Sequence, residues 1–368
     1  MTAVMTDGSI RLLLGNIVFE DRHTKSQEKF KEATFPYDNI VVNSINGGYV
    51  SYQAIRLAMY YNIGITFLNS QGETIGNLMP YRSNSLREIS QFKHYLNDRF
   101  AVAKRLEQSK LNRQIQLLNY LKQRFDFDFP KFQSFNKCKT VNDLLLVEGG
   151  NASLYWASIA QATRDFDIPF IARTNRNSRE MKARDPYNSV LNFGYKLLDA
   201  TVRRAISLAG LDQAIGFVHE LRPMKDGSLA WDIMEAYRFI VDKLAIDIFE
   251  NRTFTRKDFY KNTEYYIRLK DEACKKLINL FNIEISKKVK YKTKNYSWEN
   301  IINMKVIEFA KTFRTDFSDP EFIFIRKDNK EFRSSVMEGK LTGKNKSTLF
   351  YRKMKIKQGL PLKIYSPR

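Results

Sequence analysis

The chain changes character near residue 85, and this change limits the folds that it can adopt. Before that point, short β-branched runs are separated by Gly, Asn and Pro, and the clearest of them are 10–19, 35–45 and 63–80. This pattern is typical of strands joined by tight turns. After that point, apolar residues recur at helical spacing over long stretches. Strands followed by helices predict an α+β protein with at least two domains.

We divide the chain of 368 residues into three parts. A small β-rich domain spans 1–90, a larger all-α domain spans 91–290, and a basic helical extension spans 291–368. Within the first part, Ser51 is the predicted N-cap of a helix that interrupts the strands. In the last third of the chain, the clearest helical pattern begins at Thr263.

The charge of the chain indicates a polyanionic partner. Lys and Arg number 61 against 40 Asp and Glu, which gives a formal net charge of +21. The excess is concentrated toward the end: 251–368 holds 29 basic and 13 acidic residues, and 340–368 holds nine basic residues and no acidic one. Such a distribution favours phosphate contacts with nucleic acid. The alternative is a lysine-rich surface without a specific partner.

Composition excludes several other classes of protein. No apolar stretch reaches the roughly eighteen residues of a membrane-spanning helix, and the basic segments lack a clean amphipathic face, so we expect no membrane association. Asp7 and Arg11 lie where a signal peptide has its apolar core. Cys138 and Cys274 lack CxxC spacing, which excludes a disulfide scaffold and a Cys-based zinc site. We therefore expect a cytoplasmic protein.

One group of polar residues in an apolar setting suggests catalysis. His219 follows the apolar run 214–218 and precedes a loop that leads into a helix. On that helix Asp232 and Glu235 are three residues apart, so both carboxylates project from one face. Their neighbours are largely apolar, and buried acids are costly unless a positive charge offsets them. A divalent metal ion would supply that charge.

Glu148 is a possible third acid of the same site. It ends an apolar run and precedes two glycines, so it is either a buried acid paired with an arginine or a metal ligand. One His with two or three carboxylates is a hard, oxygen-rich set that suits Mg²⁺ or Mn²⁺ better than structural zinc. The separations along the chain, 71 and 16 residues, match no short metal motif, so both interpretations stay open.

Common nucleotide-binding and hydrolase motifs are absent from the sequence. It contains no GxxxxGK[ST] phosphate loop, no GxSxG elbow, no HExxH and no dinucleotide glycine pattern. NTP hydrolysis, serine hydrolysis and zinc proteolysis are therefore poor explanations of what the chain does.

The motifs around these acids and the histidine resemble one known family. Five segments carry the resemblance in order: EGGNAxxY at 148–155, DPYNSVLNFGY at 185–195, GFVH at 216–219, RP at 222–223 and SLAWDIMEAYR at 228–238. Together they resemble the CRISPR-associated spacer integrases, the metal-dependent nuclease and integrase subunit of CRISPR adaptation. The casposon transposases, which are relatives of these integrases, are the second choice. The resemblance extends over roughly 35–250.

The resemblance implies both a fold and a site. The implied fold is a small N-terminal β domain used for dimerisation and a larger helical domain that carries the active site. The implied metal ligands are Glu148, His219 and Glu235. Asp232 is implied to be a supporting acid, one helical turn before the last ligand. These are the catalytic residues that we expect.

Other residues are expected to contact DNA near this site. The resemblance places Arg222 at a phosphate, and it places Asn188 and Tyr195 on the wall of the same pocket. Basic residues of the first long helices are further candidates for holding the DNA backbone, with a solvated helix face as the alternative. They are Arg87, Lys104, Arg105 and Lys110.

The basic end of the chain has a DNA-binding pattern of its own. The segment 344–359 looks like the second half of a helix-turn-helix, with Lys346, Arg352 and Lys353 as DNA contacts. The casposon transposases carry a comparable C-terminal DNA-binding unit. The alternative is a basic tail that becomes ordered only on DNA.

The expected reaction is metal-dependent joining of DNA. The 3′-OH of a short fragment attacks target DNA by direct transesterification, and water in its place gives endonuclease cleavage. A phosphotyrosine link through Tyr195 is the chemical alternative. The implied partners are double-stranded DNA, a second copy of the chain in a homodimer and the family's small ferredoxin-like adaptation subunit. The alternative functions are a mobile-element transposase with the same site and a catalytically silent nucleic-acid-binding protein.

Overall fold

The computed structural model describes the chain from residue 2 to residue 313, with the gaps 15, 23, 32–34, 44–46, 69–73, 80–84, 174–182, 220–226 and 263–265. Four predicted DNA contacts lie outside the described residues: Arg222, Lys346, Arg352 and Lys353. Most of the predicted basic extension, from residue 314 onward, lies outside them as well.

Two four-stranded sheets and one helix form the N-terminal part. In chain order its elements are β1 (Thr2–Thr6), β2 (Gly8–Leu13), β3 (Asn16–Asp21), β4 (Gln27–Lys31), β5 (Asn39–Asn43), β6 (Tyr49–Val50), α1 (Tyr52–Tyr60), β7 (Gly64–Leu68) and β8 (Thr74–Leu78). One sheet has the order β1-β5-β7-β8 and the other the order β4-β3-β2-β6. β7 and β8, which both lie in the predicted run 63–80, pair in antiparallel fashion. The prediction of a β-rich N-terminal part is confirmed.

The two sheets and α1 share one apolar core. Ile10, Ile40 and Ile65 are almost fully buried in it, and β-branched side chains of this kind pack well on a pleated surface. Ser51 caps α1 as predicted, because its side chain accepts a hydrogen bond from the amide of Ala54.

Helices dominate from Ser85 onward. In order the elements are α2 (Ser85–Asn97), α3 (Arg99–Lys122), α4 (Val141–Ala162), α5 (Pro186–Ala209), α6 (Ser228–Glu235), α7 (Arg238–Glu250), β9 (Phe259–Lys261), β10 (Ile267–Leu269), α8 (Asp271–Ser286), β11 (Lys288–Tyr291), β12 (Lys294–Ser297) and α9 (Trp298–Thr312). α5 is central: most of its residues are buried, and it contacts α6, α7, α8 and α9. At Gly194 the helices α5 and α7 approach closely, since a Cβ there would lie 2.5 Å from Val241 Cγ1.

The prediction of an all-α second domain is wrong in its last part. Two short antiparallel hairpins, β9–β10 and β11–β12, interrupt the helices. The helix predicted from Thr263 begins at Asp271 instead. Ile267 and Leu269 follow the alternation of a strand, while Asp271 and Glu272 place negative charge where it stabilises a helix N-terminus.

Three strands of the N-terminal part, β1, β4 and β6, carried no prediction. β4 is charged and largely exposed at the edge of its sheet, as edge strands often are. β1 is tied to the helical part, because the amide and carbonyl of Thr2 both bond to the side chain of Asn282 at 2.8 Å. Both parts belong to one compact unit, 1–313. None of the helices in the described ranges has the length and hydropathy that crossing a bilayer requires.

Candidate active site

Three separate elements bring the predicted metal ligands to one cavity. Glu148 lies on α4, His219 lies in the segment before α6, and Glu235 is the last residue of α6. All three line a cavity of about 320 Å³, and Glu107 and Lys110 of α3 line it as well. Glu107, Glu148 and Glu235 are called the cavity glutamates below. Residues far apart in the sequence thus share one small chamber, as an active site requires.

The ammonium group of Lys110 lies between two of the cavity glutamates. Its Nζ is 2.7 Å from Glu148 Oε1 and 3.0 Å from Glu235 Oε2, and its side chain is 11% exposed. Burial by itself lowers the pKa of Lys110, but the three cavity glutamates outweigh it and hold that pKa above its ordinary value. Lys110, which we predicted to hold the DNA backbone, is therefore a charged group inside the cavity.

Two basic side chains hold Glu235 as an anion. Arg238 Nη2 is 3.0 Å from its Oε1, and Lys110 Nζ is 3.0 Å from its Oε2. Burial raises the pKa of Glu235, but Arg238 and Lys110 together lower it to about 2. Among the described residues, no hydrogen-bond donor is well aimed at the buried Oε2. Oε2 is therefore paired with the ammonium of Lys110 through charge and not through an aligned hydrogen bond.

Glu107 is an acid of the cavity that the sequence analysis missed. Burial, together with the other cavity acids, raises its pKa to about 7 although Lys110 opposes the shift. Its side chain lies on the buried stripe of α3 that also contains Ala103 and Leu111. An acid at an apolar position of a helix is the signal that could have identified it.

Asp232 fixes the segment that carries His219. Its Oδ2 accepts hydrogen bonds from the amides of Phe217 and Val218, and its Oδ1 accepts one from the amide of His219 at 3.0 Å. The same Oδ1 lies 2.6 Å from Nδ1 of the His219 ring. With Nδ1 engaged by Asp232, Nε2 is the ring nitrogen left for a metal. Asp232 thus orients the imidazole.

The environment of His219 is both charged and tightly packed. Burial lowers the pKa of His219, but the hydrogen bond and the charge of Asp232 raise it above the ordinary value of 6.5. Close packing is evident at Gly216, where a Cβ would lie 2.7 Å from Ser228 Cβ and 2.9 Å from Asp232 Oδ2. Only glycine leaves room for the carboxylate to reach the backbone amides beside it.

Two further side chains, one from α2 and one from α3, hold the segment that carries His219. Gln91 Nε2 donates to the carbonyl oxygens of Asp212 and Ile215, both at 2.9 Å. Arg99 Nε donates to the carbonyl oxygen of Phe217 at 2.9 Å. We predicted no role for Gln91 or Arg99, although a glutamine is unusual at a buried position of an amphipathic helix. The position of His219 therefore depends on three helices.

A second buried network lies around Asp242. Tyr155 Oη donates to its Oδ2 at 2.6 Å, and Tyr195 Oη donates to its Oδ1. Burial raises the pKa of Asp242 to about 6 and raises the pKa of both phenols well above 10. Tyr195 is 7% exposed and does not line the cavity, contrary to the prediction. A buried phenol of raised pKa that donates to a carboxylate is a poor nucleophile.

Asn188 does not line the cavity, contrary to the prediction, and its contact with DNA stays a prediction. Its side chain is fully buried, and its Nδ2 donates to the carbonyl of Ala172 and to Asp185 Oδ2, both at 2.7 Å. Its Oδ1 accepts from Arg173 Nη1 at 2.7 Å. Asn188 therefore ties the start of α5 to the segment before it.

The other predicted backbone contacts lie outside the cavity wall. The guanidinium of Arg87 donates to the carbonyl of Ala209 at the end of α5. The ammonium of Lys104 lies 5.7 Å from the ring centroid of Phe100, and Arg105 is exposed on α3. Their contact with DNA stays a prediction.

The cavity fits a hard divalent cation in its chemistry. Carboxylate oxygens and one imidazole nitrogen are donors that Mg²⁺ and Mn²⁺ accept, and a buried oxygen of Glu235 lacks a well-aimed donor among the described residues. Within the same part of the chain, no three His, Cys or acidic side chains converge as a ready metal cluster. The ammonium of Lys110 lies between Glu148 and Glu235, which are two of the three expected ligands.

A family model shows the family to which the chain belongs. The model described as CRISPR associated protein Cas1 matches residues 3–282, so the chain belongs to this family, as its motifs predict. The CRISPR-associated endonuclease Cas1 1 of Francisella tularensis subsp. novicida is 28% identical over 305 residues, which are 79% of this chain and 90% of the relative. The enzyme of the same name from Archaeoglobus fulgidus is 28% identical over 307 residues, 76% of this chain and 87% of the relative.

Solved structures share the fold. A casposase bound to its integration product is 28% identical with a TM-score of 0.76, over 87% of this chain and 94% of that chain. A Cas1 protein from Thermotoga maritima is 20% identical with a TM-score of 0.70, over 85% of this chain and 96% of that chain. A chain of a Cas6-RT-Cas1–Cas2 complex is 18% identical with a TM-score of 0.65, over 85% of this chain and 35% of that chain. The last two likenesses concern the fold alone.

Proposed function

We propose that this protein is a metal-dependent DNA integrase and endonuclease of the Cas1 family. The observation that carries the proposal is the cavity that Glu148, His219 and Glu235 line together with Lys110 and Arg238. Ligands for a cation and basic groups for phosphate lie side by side there, which is what phosphodiester transfer requires. The relatives named as endonucleases and the casposase bound to an integration product support the same reaction class.

Each residue of the site has a defined task in this reaction. A Mg²⁺ or Mn²⁺ ion held by Glu148, His219 and Glu235 would supply a Lewis acid for phosphate oxygens. Asp232 holds the imidazole of His219 in one orientation and keeps a proton on Nδ1. Arg238 keeps Glu235 ionised and presents a fixed positive charge to the cavity. The attacking 3′-OH belongs to DNA, so the protein supplies no covalent nucleophile.

Arg113 is a further basic group of the site. It lines the cavity, and its guanidinium lies 5.6 Å from the ring centroids of both Phe239 and Trp298. An arginine held against aromatic rings is pre-organised for phosphate contacts through its fork of donors. We propose that Arg113 binds a DNA phosphate close to the one that reacts.

The proposed partners follow from the reaction and the family. The substrates are double-stranded DNA, as the incoming fragment and as the target repeat. The proposed assembly is a homodimer with a small ferredoxin-like adaptation subunit, and a Cas1–Cas2 complex among the structures of the same fold supports such a partner. We place the protein in the cytoplasm, together with its DNA substrates. A casposon-type transposase is the second candidate function, favoured by the likeness to the casposase.

Strand transfer into a supercoiled plasmid tests the proposal. A short duplex with free 3′-OH ends and Mg²⁺ or Mn²⁺ is supplied to wild type, His219→Ala and the control His94→Ala, which changes a half-buried histidine of α2 outside the cavity lining. We expect joining that needs metal, the 3′-OH and His219, and that His94→Ala retains. Joining that survives His219→Ala would overturn the assigned site. Plasmids with a repeat array or with a transposon target then separate adaptation from transposition.

A further inference from the structure

Lys110 does in this cavity what a metal ion is proposed to do, because it neutralises Glu148 and Glu235 together. One ammonium group contacts a carboxylate oxygen of each acid, at 2.7 and 3.0 Å. Both acids are shielded from water, with side chains 16% and 11% exposed. Opposite charges at such distances attract strongly when they are partly buried. The same two carboxylates are assigned as metal ligands, so the ammonium and the metal compete for them.

The other basic side chains that the structure describes on the cavity wall have contacts that differ from those of Lys110. Arg238 bonds to Oε1 of Glu235, the oxygen that Lys110 does not approach. The guanidinium of Arg113 lies against two aromatic rings, those of Phe239 and Trp298. Glu107, one helical turn before Lys110 on α3, adds a third carboxylate that attracts the ammonium. Among these cations, Lys110 is the one that contacts both carboxylate ligands.

We propose that Lys110 is a resident counterion of this site, whose ammonium group a divalent cation must displace in order to bind. The inference rests on the proposed metal site. A lysine suits this exchange, because its charge is carried on a flexible four-carbon stem that can turn away from the acids. The displaced ammonium remains charged and binds a phosphate oxygen of DNA instead. Metal binding and DNA binding therefore favour each other, and this coupling is reciprocal.

Removing the charge of Lys110 tests the proposal on protein free of DNA. Lys110→Met keeps an unbranched side chain that is one atom shorter, and it leaves Glu148 and Glu235 without their shared cation. We expect its affinity for Mn²⁺ to rise at least about tenfold over wild type, which corresponds to about 1.4 kcal/mol. Lys110→Arg, which keeps the charge, should retain the weak affinity of wild type. The matched control Lys104→Met changes a lysine of the same helix that lies over the ring of Phe100.

Isothermal titration with Mn²⁺ gives these affinities, and melting temperatures in EDTA and in Mn²⁺ give them independently. If Lys110→Met does not fold in EDTA, Lys110→Gln serves as the second uncharged variant. A lysine with a purely structural role would not tighten metal binding when it is removed. Equal or weaker Mn²⁺ affinity in the uncharged variants would overturn the role of Lys110 and leave the metal site standing. Absence of Mn²⁺ binding from wild type and all variants would overturn the metal site itself.

Discussion

Replacing Asp232 by Asn should loosen the segment that carries His219 and release its imidazole. The two carboxylate oxygens of Asp232 each accept two hydrogen bonds, from Phe217 and Val218 at Oδ2 and from the amide and ring of His219 at Oδ1. The NH₂ group of Asn cannot accept a hydrogen bond. Whichever oxygen it replaces, two donors lose their acceptor and face another donor.

The size of the effect follows from this geometry. Hydrogen bonds to charged groups contribute about 1.5–3 kcal/mol each, so the loss of two should lower the free energy of unfolding by about 3–6 kcal/mol. The charge of Asp232 raises the pKa of His219, so that pKa should fall in Asp232→Asn. Carboxylates that orient a metal-binding histidine typically contribute about ten- to a hundredfold to metal affinity or activity, and strand transfer should fall by that factor.

Two measurements on metal-free protein check this expectation. Urea denaturation followed by circular dichroism gives the free energy of unfolding, and NMR titration of the ring proton gives the pKa of His219. The matched control is Asp212→Asn, because Asp212 Oδ1 accepts from the amide of Ala214 at 2.8 Å in an exposed position, and Asn keeps that acceptor. A loss below about 1 kcal/mol, the ordinary effect of a substitution, together with an unchanged pKa of His219 would refute the reasoning.

Three other substitutions examine separate parts of the site. Gly216→Ala should lower the free energy of unfolding by about 1–3 kcal/mol, because its Cβ would lie 2.7 Å from Ser228 Cβ; thermal denaturation measures this. The stability advantage of Glu107→Gln over metal-free wild type should grow as the pH rises from about 4.5 to about 7. In this range folded Glu107 keeps a proton that the unfolded chain loses, so wild type loses stability as the pH rises. Urea midpoints measured across this pH range check the prediction. Tyr195→Phe should keep strand transfer within about tenfold of wild type, because its hydroxyl donates to Asp242 and is not a nucleophile.

Each of these expectations has an outcome that contradicts it. Gly150→Ala is the control for Gly216→Ala, since a Cβ at Gly150 meets nothing within 4 Å; equal melting temperatures of the two variants would argue against the close packing at Gly216. A stability difference that is independent of pH would contradict the raised pKa of Glu107. A covalent protein–DNA adduct that wild type forms and Tyr195→Phe does not would restore the phosphotyrosine alternative.

The acids of the site could be found in the sequence because each stands in an apolar run. Asp232 and Glu235 share a helix with buried neighbours, and Glu148 ends an apolar stretch. Such positions are costly for a carboxylate unless a partner exists, so the pattern itself indicates a site. The spacing of these acids along the chain could not show that they share a site with His219. The order of the family motifs indicated that they do.

The place of Lys110 in the cavity could not be predicted, because α3 is long and carries charges on several faces. A lysine that enters a cavity and a lysine on a solvated face look alike in such a helix. The packing of α3 against α4 and α6 brings Lys110 to the cavity glutamates. Asn188 shows the converse case: a motif placed it at the pocket, but its contacts with Ala172 and Asp185 turn its side chain into the protein interior.

The strand predictions failed where strands are short or charged. β9 and β10 have three residues each, too few for alternation to stand out from a neighbouring helical pattern. β4 reads QEKFK, which gives no apolar face, yet it pairs along β3 at the edge of the sheet. In both cases the strand forms because it pairs with a neighbouring strand, and a single sequence does not show that pairing.

Whether the cavity holds the catalytic metal can be observed by anomalous X-ray diffraction from crystals grown with Mn²⁺. We expect one strong peak at about 2.0–2.3 Å from carboxylate oxygens of Glu148 and Glu235 and from Nε2 of His219, as is usual for divalent ions in proteins. The peak should disappear in Glu148→Gln together with strand transfer. Manganese bound elsewhere, with this cavity empty and strand transfer intact in the same conditions, would contradict the assignment.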